Sequence, residues 1–523
     1  ERKQAHRERE TGSRPRTSKS LKNLRQEAMV FRVLLAFCGL CALAFAASPP
    51  GPGPFGNVVL AQPVSGAQRA QKIDGWKEGK VCEIDEGQNN TNATEALQAA
   101  IDDCGDREEG GTVLVRNSLH LWSASLWLRS NLTFRVEEGS SVTSTATGVG
   151  KKTDPSNVNC TDAPIVYTRR ESIMMDAHAG FLNAGRFLSD DGKWTTLENV
   201  VVEGGGLLDA DGDAWYDKSD PDFVTQMRPM MLDLLWVRGL TIRDVQLRRP
   251  GFWTVHPTFC DNVVVANNSI VTYGSNTDGC DPDSCWNVYI AGNDFDNGDD
   301  CIAVKAGRDA SGREVNISTR NVLAEFNHFK SGHGVSIGSE TSGWVLDVVI
   351  RNSILDGTNK AVRIKSARGR GGGVRNATYS NLTGSVKYAV SLSLDYEGDL
   401  PPTNDSATPE IHDVIVRDLD LVVTESDKAA DTFSSSSSEP NDLECIGLSD
   451  SPITGVTFRN VKVAAAESST LDTKCTYCFG TSDDDSDPTP CFEEEEEKQG
   501  LPTGANAPFP GGDKPAAVTT AKD

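Results

Sequence analysis

Asn262-Val-Val-Val-Ala-Asn-Asn-Ser-Ile270 and Asn287-Val-Tyr-Ile-Ala-Gly-Asn-Asp-Phe295 set the architecture of this chain. Each opens on a turn residue, runs through an alternating apolar segment, and closes on Asn or Asp and another apolar residue. The pattern recurs from Asn199, Gly239, Asn321, Asp347, Asn376, Asp413 and Gly455, with successive starts 23 to 42 residues apart. Period-two alternation makes these rungs strands and not helices. Irregular repeats of this size imply a solenoid, in which each coil buries its inner face against its neighbours. Asn at recurrent corners suits tight turns and can stack in ladders. Residues 75–470 are therefore expected to form an all-β, single-stranded right-handed parallel β-helix.

Outside the repeats, Thr94 to Cys104 (TEALQAAIDDC) has helical spacing, with Thr91 or Asn92 as candidate caps. This short N-terminal helix is expected to cap the solenoid, where unpaired strand edges are a liability. Residues 471–523 read as a disulfide-tied end and a disordered acidic tail, and residues 49–74 as a Pro/Gly-rich linker. Met29, Arg32, an apolar run from Val33 to Ala47 and Ser48-Pro49-Pro50 make a signal peptide over residues 29–48. The run is short for a membrane span of about 20 residues. Residues 1–28 read as a non-native upstream extension; the alternative is a type II signal anchor. The expected protein is secreted and extracellular, a monomer without stable membrane association after signal cleavage.

The formal net charge of −24 excludes nucleic acid as a partner, since that needs a basic footprint. It does not exclude an acidic polymer, because net charge governs solubility and steering and not the local field of a cleft. Much of the acidity sits in Asp483–Asp485 and Glu493–Glu497. Nine Asn-x-Ser/Thr sequons between Asn89 and Asn404 fit a secreted glycoprotein. Eleven cysteines follow the signal and read as disulfides with one left over. Cys475-Thr-Tyr-Cys478 has only Cys491 nearby as a third ligand and no His, so a disulfide-closed loop is expected there and not zinc.

Between residues 276 and 365 the polar residues become concentrated. Asn276-Thr-Asp-Gly279 is followed by Gly298-Asp-Asp-Cys301, Gly332-His-Gly334 and Arg363-Ile-Lys365, each at a similar stage of successive repeats. A solenoid stacks such residues on one wall, roughly 4.8 Å apart per coil. Asp278, Asp299 and Asp300 gathered this way repel one another, so some proton affinity must rise. One protonated carboxyl beside ionised partners is what glycoside hydrolysis requires. His333 can tune or orient the acid, and Arg363 and Lys365 supply cations for a substrate carboxylate. Singly these motifs are ordinary turns, bends and strand edges, and a calcium site in the Asp cluster is an alternative. Their order and repeat phase are what is specific.

Those four motifs resemble the signature of the family 28 glycoside hydrolases, the polygalacturonases, and all four are intact. Tyr396, in Asp395-Tyr396-Glu397-Gly398, lies where family members carry an active-site tyrosine, and the similarity runs from about Val81 to Cys491. The resemblance implies an inverting hydrolase of α-1,4-galacturonosyl linkages in pectin or polygalacturonate, without metal or organic cofactor. It implies Asp299 as general acid, Asp278 and Asp300 as activators of water, and His333 beside the acid. Arg363, Lys365 and Tyr396 would bind galacturonate, and Asn276 would shape the site. Some relatives pair the Cys of Asp-Asp-Cys with a Cys shortly before Gly-His-Gly. Here Asn327–Gly332 has none, so Cys301 pairs with Cys280 or Cys285 or stays free. His333 favours homogalacturonan, because relatives acting on rhamnogalacturonan tend to lack it.

The competing readings are a pectate lyase-like enzyme using calcium, a rhamnogalacturonan-acting enzyme, and a non-catalytic β-helix binding protein. His256 and His328 read as structural. The Gly369–Gly373 loop with Arg368 and Arg370 reads equally as part of the cleft rim or as a flexible basic turn.

Overall fold

In a computed structural model the chain is described over residues 79–147, 161–185, 187–188, 193–216, 228–396, 407–424, 441–466 and 470–493. They belong to the larger of two structural units, Pro52–Asp523, and only that unit is described. The signal segment, the linker, the upstream stretch, residues 494–523, Cys160 and Glu397 lie outside the described residues. No helix among the described residues is long and apolar enough to cross a membrane.

The chain winds as a right-handed parallel β-helix. All nine repeat starts sit at a left-handed corner, from φ +54° at Asn287 to φ +79° at Gly239. That backbone region is open to Gly and tolerated by Asn and Asp, which is why those residues mark the repeat. After each corner the strand pairs in parallel register with the coils on either side. One inner column runs Val113, Phe134, Val202, Ile242, Val265, Ile290, Ala324, Ile350, Tyr379, Val416 and Phe458. A second runs Leu121, Val142, Leu208, Leu247, Ile270, Phe295, Phe329 and Leu355. The third runs Leu126, Leu182, Leu232, Val255, Cys280, Ile302 and Val335, then Val362, Val390 and Leu443. These residues are buried and form one continuous apolar core.

Ladders of polar side chains stitch the corners. Inside, Asn268, Asn293 and Asn327 stack through 3.0 Å amide bonds. Outside, Asn199 donates to Asn131, and Asn321 reaches Asn287, which reaches Asp261. The N-terminal helix Thr94–Cys104 buries Leu97, Ile101 and Cys104 against the first coils. The N-cap position falls on Ala93 and not on either candidate, while the side chain of Asn92, one residue earlier, accepts the Thr94 amide at 3.1 Å.

Cysteine pairing departs from the expectation of one leftover thiol. Cys82–Cys104, Cys445–Cys478 and Cys475–Cys491 form disulfides, and Cys475 and Cys478 are not joined to each other. Cys260, Cys280, Cys285 and Cys301 are free and buried. Cys280 occupies an inward position of the third column, and the other three join the same core. At such positions cysteine serves as a small apolar side chain.

Candidate active site

The third column carries the site on its outward face. Two residues before inward Cys280 and Ile302 come Asp278 and Asp300, and two before Val335 comes His333. Main-chain bonds hold these approaches together. Thr254 N donates to Asp278 O (2.9 Å), Gly279 N to Asp300 O (2.9 Å) and His333 N to Asp299 O (2.9 Å). Ser336 and Arg363 then stand opposite each other in register, and Lys365 follows. The flanking glycines are obligatory. Gly332 and Gly334 have φ +93° and +79°, and a Cβ there would lie 2.5 Å from Asp299 O and 2.0 Å from Lys360 O. Only glycine lets the coil carrying His333 pass this close to its neighbours.

All eight candidate residues lie in this one neighbourhood. Asp300 is buried and fully engaged. Ser336 Oγ and Arg363 Nη1 donate to its Oδ1 at 2.7 and 3.0 Å, and Lys365 Nζ donates to Oδ2 at 2.8 Å. Burial opposes its ionisation, but Lys365, Arg363 and His333 outweigh that and hold it far below the usual carboxylate range. Asp299 receives the main-chain N–H of Asn276 on Oδ2 at 2.8 Å and that of Asp300 on Oδ1 at 2.9 Å. Its Oδ1 lies 3.0 Å from His333 Nδ1. Burial raises this carboxyl, yet the charge and hydrogen bond of His333 bring it down to about 2. Asp299 keeps 17% side-chain exposure and His333 25%, whereas Asp278 keeps 4% and Asp300 1%. The first pair faces the solvent side of the site, and the other two lie behind it. Tyr396 covers the cations, with Lys365 Nζ 5.1 Å and Arg363 Cζ 5.9 Å from its ring centroid.

Asp278 is the carboxyl whose proton affinity rises. Burial and the charges of Asp281, Asp299 and Asp300 push it well above its ordinary value, with Lys305 opposing. Its Oδ1 is buried without a hydrogen bond, and Lys305 Nζ stands 3.8 Å from Oδ2. Lys305 is buried over Trp253 (4.4 Å) and bonded to Glu340 Oε2 (3.0 Å). Sequence reasoning passed over Lys305, Asp281, Ser336 and Glu340. The signal for Lys305 was present: a lone ammonium in the apolar run Ile302-Ala-Val-Lys-Ala306, one alternation beyond the Asp pair.

Donor atoms of Asp299, Asp300 and His333 all lie within 4.8 Å of one another, close enough in principle for a metal ion. The chemistry of the set suits one poorly. Each carboxylate already has three donors turned toward it. Calcium needs six to eight oxygen ligands, and two cationic side chains already neutralise Asp300.

Other sequence candidates sit elsewhere. His256 is buried between Asp233 (3.5 Å) and Asp283 (3.8 Å), and His328 faces Asp294 beside the second column and not the third. The Gly369–Gly373 loop divides its arginines. Arg370 is buried against Asp309 and the Ser339 carbonyl, while Arg368 pairs with Asp450 at the surface.

Comparison with known proteins adds the following. The family model for glycosyl hydrolases family 28 matches residues 192–481, more than half of the chain. A probable polygalacturonase of Vitis vinifera is 28% identical over 305 residues, 57% of this chain and 59% of that protein. The chain thus spans about three fifths of that relative's length. An endo-polygalacturonase of Pectobacterium carotovorum subsp. carotovorum is 28% identical over 63% of this chain and 78% of its own. Among solved structures, a hyperthermoactive exopolygalacturonase from Thermotoga maritima superposes with a TM-score of 0.62 at 22% identity. That match covers 80% of this chain and 95% of the other, and at such identity it speaks to fold alone.

Proposed function

Since the chain belongs to glycosyl hydrolases family 28, we propose that it is a secreted polygalacturonase. It hydrolyses α-1,4-galacturonosyl linkages of homogalacturonan with inversion at the anomeric carbon. The observation that carries this reading is the pairing of Asp299 with His333, beside a buried Asp300 clamped by Arg363 and Lys365. Polygalacturonases from plant and bacterial relatives support the substrate class. The three disulfides support an oxidising, extracellular setting.

In the proposed mechanism Asp299 gives its proton to the leaving oxygen as that bond breaks. Asp278 and Asp300 draw a proton from the attacking water on the opposite face of the sugar. Asp299 suits the acid's place because it is the most exposed of the three carboxyls. In the free site, however, Asp278 holds a proton more tightly than Asp299. Substrate reverses this order. A galacturonate carboxylate entering against Arg363 and Lys365 adds an anion beside Asp299 and draws cationic charge from the aspartates, both of which raise Asp299. The carboxyls therefore titrate as a coupled set, with the proton passing from Asp278 toward Asp299 on binding.

Asp299→Asn tests the assignment. Reducing-sugar release from polygalacturonate should fall by roughly 10²–10⁴-fold, with the thermal unfolding of the variant unchanged. Undiminished release would remove Asp299 from the role of acid.

A further inference from the structure

The rim of the site is open on some coils and sealed on others. The coils of Cys280, Ile302 and Val335, stacked in that order, supply the carboxyls and the histidine. On each, residues just before the inward position reach solvent. Tyr273 is 67% exposed, Gly274 and Asn276 are exposed, and Gly298, Asp299, Gly332 and His333 are half-buried. The preceding coils are those of Val255 and, before it, Leu232. There every residue of 250–260 and of 228–237 is buried. Within one coil of Asp278 the open face ends.

The hairpin of Ile165–Arg170 and Ile173–His178 forms the seal. It lies along the outward face of the third column and is fastened to coil after coil. Thr168 Oγ1 donates at 2.6 Å to Oδ2 of Asp233, which follows inward Leu232. Arg169 pairs with Asp283 (3.2 Å) and donates to Ser284 Oγ (3.0 Å) beyond Cys280. At the tip Glu171 and Ser172 turn at φ +48° and +60°, and Ser172 O accepts the main-chain N–H of Arg308 (3.1 Å) beyond Ile302. The Arg169–Asp283 pair is wholly buried, so pulling the hairpin away would strand a charge. With these points fixed, Arg170 is carried over Phe252, its Cζ 4.2 Å from the ring centroid. Phe252 and Trp253 precede Val255 as Thr277 and Asp278 precede Cys280. They are 1% and 3% exposed, so the positions next in line to Asp278 hold covered rings and not a groove.

An enzyme that cuts inside a long polymer needs its groove open on both sides of the reacting coils. Here the C-terminal side stays open, with Arg363 and Tyr396 half-buried on later coils. On the N-terminal side the wall stands one coil beyond Asp278. Coils are roughly 4.8 Å apart, close to the advance of one pyranose along its chain. We infer that the hairpin closes the cleft at this end, and that the enzyme attacks polygalacturonate from a chain terminus. One galacturonate sits between the wall and the aspartates, and each cut releases it as monogalacturonate. This rests on polygalacturonate being the substrate.

The test is the time course of products from polygalacturonate, read by anion-exchange chromatography beside the viscosity of the digest. Wild type should release monogalacturonate alone from the earliest samples, with viscosity falling slowly for each bond cut. A mixture of oligomers in the first samples, with a steep loss of viscosity, would overturn the inference and leave the hydrolase reading standing. No release of any product would sink the hydrolase reading, and this inference with it. A second chain, with residues 167–176 replaced by two glycines, tests the hairpin as the wall. It should yield oligomers of two or more residues early, and viscosity should fall several-fold further per bond cut. A shortened chain that folds and still yields only monogalacturonate would remove the hairpin from this role. If the shortened chain does not fold, the wild-type time course decides alone.

Discussion

Remove the ammonium of Lys305, and Asp278 is left with burial and three acidic neighbours pressing its proton affinity upward. In the proposed mechanism the free site carries its single proton on Asp278 and passes it to Asp299 on binding, so the alkaline limb of kcat/KM, which reports the free enzyme, follows this balance. Lys305→Met should move that alkaline limb to higher pH by about one unit. A limb that stays in place would show that Lys305 serves packing over Trp253 and not the charge of the base. At this scale much of the site could be read from sequence, because its motifs demand unusual residues. Gly332 and Gly334 have no tolerated substitute beside His333, and the Asp pair has a fixed place before an inward apolar residue. What could not be read was which carboxyl rises. That depends on Lys305 and Asp281 approaching Asp278 in space, and neither belongs to a motif.

Among elements, the corners carry the information. Asn, Asp or Gly opens each repeat because the chain turns through positive φ there. The Asn268–Asn293–Asn327 ladder is a separate device with a separate energetic weight. Asn293 donates to Val265 O and Asn327 Oδ1, and accepts from the main chain and side chain of Asn268. Alanine at 293 would deprive buried groups on the two flanking coils of their partner, at about 3 kcal/mol in all. The exposed rung Asn199–Asn131 should cost under about 1 kcal/mol on Asn199→Asp, which keeps the corner. Chemical denaturation distinguishes the two; equal losses would mean the internal ladder is no more than a turn device. The 165–178 hairpin was not legible, since it lies outside the repeat and its role rests on Arg169 reaching Asp283 across the sheet. The thiols misled for a related reason. Counting parity treats cysteine as a cross-linker, whereas Cys280 and its neighbours occupy inward positions where an apolar side chain was wanted.

For the whole molecule, the buried charges fix how stability varies with pH. Burial opposes the charging of His256, but Asp233 and Asp283 outweigh it and raise the imidazole to about 9, against about 6.5 when unfolded. A raised folded value contributes stability that is complete below about pH 6.5 and is lost as pH climbs toward 9. Asp281, pushed by burial up to about 8, acts in the same direction, because the folded state holds a proton that the unfolded state has released. The melting temperature should therefore fall between pH 6.5 and 9, and His256→Gln should flatten that slope while lowering the melting point at pH 6. A slope identical in the variant would mean that His256 does not titrate there. The same concentration of buried cations around the aspartates reconciles a net charge of −24 with the proposed anionic substrate. The acidity lies largely elsewhere, while Lys305, Arg363, Lys365, Arg170 and Arg228 stand near the site.

The central claim is inverting hydrolysis of polygalacturonate at the Asp278–Asp299–Asp300 site. Proton NMR of a fresh digest tests it most directly, by resolving the first anomer formed and any unsaturated uronate. The account predicts β-configured reducing ends appearing first, no unsaturated product, and activity undiminished by a chelator. Initial α-configured ends, or unsaturated products that vanish on chelation, would contradict it.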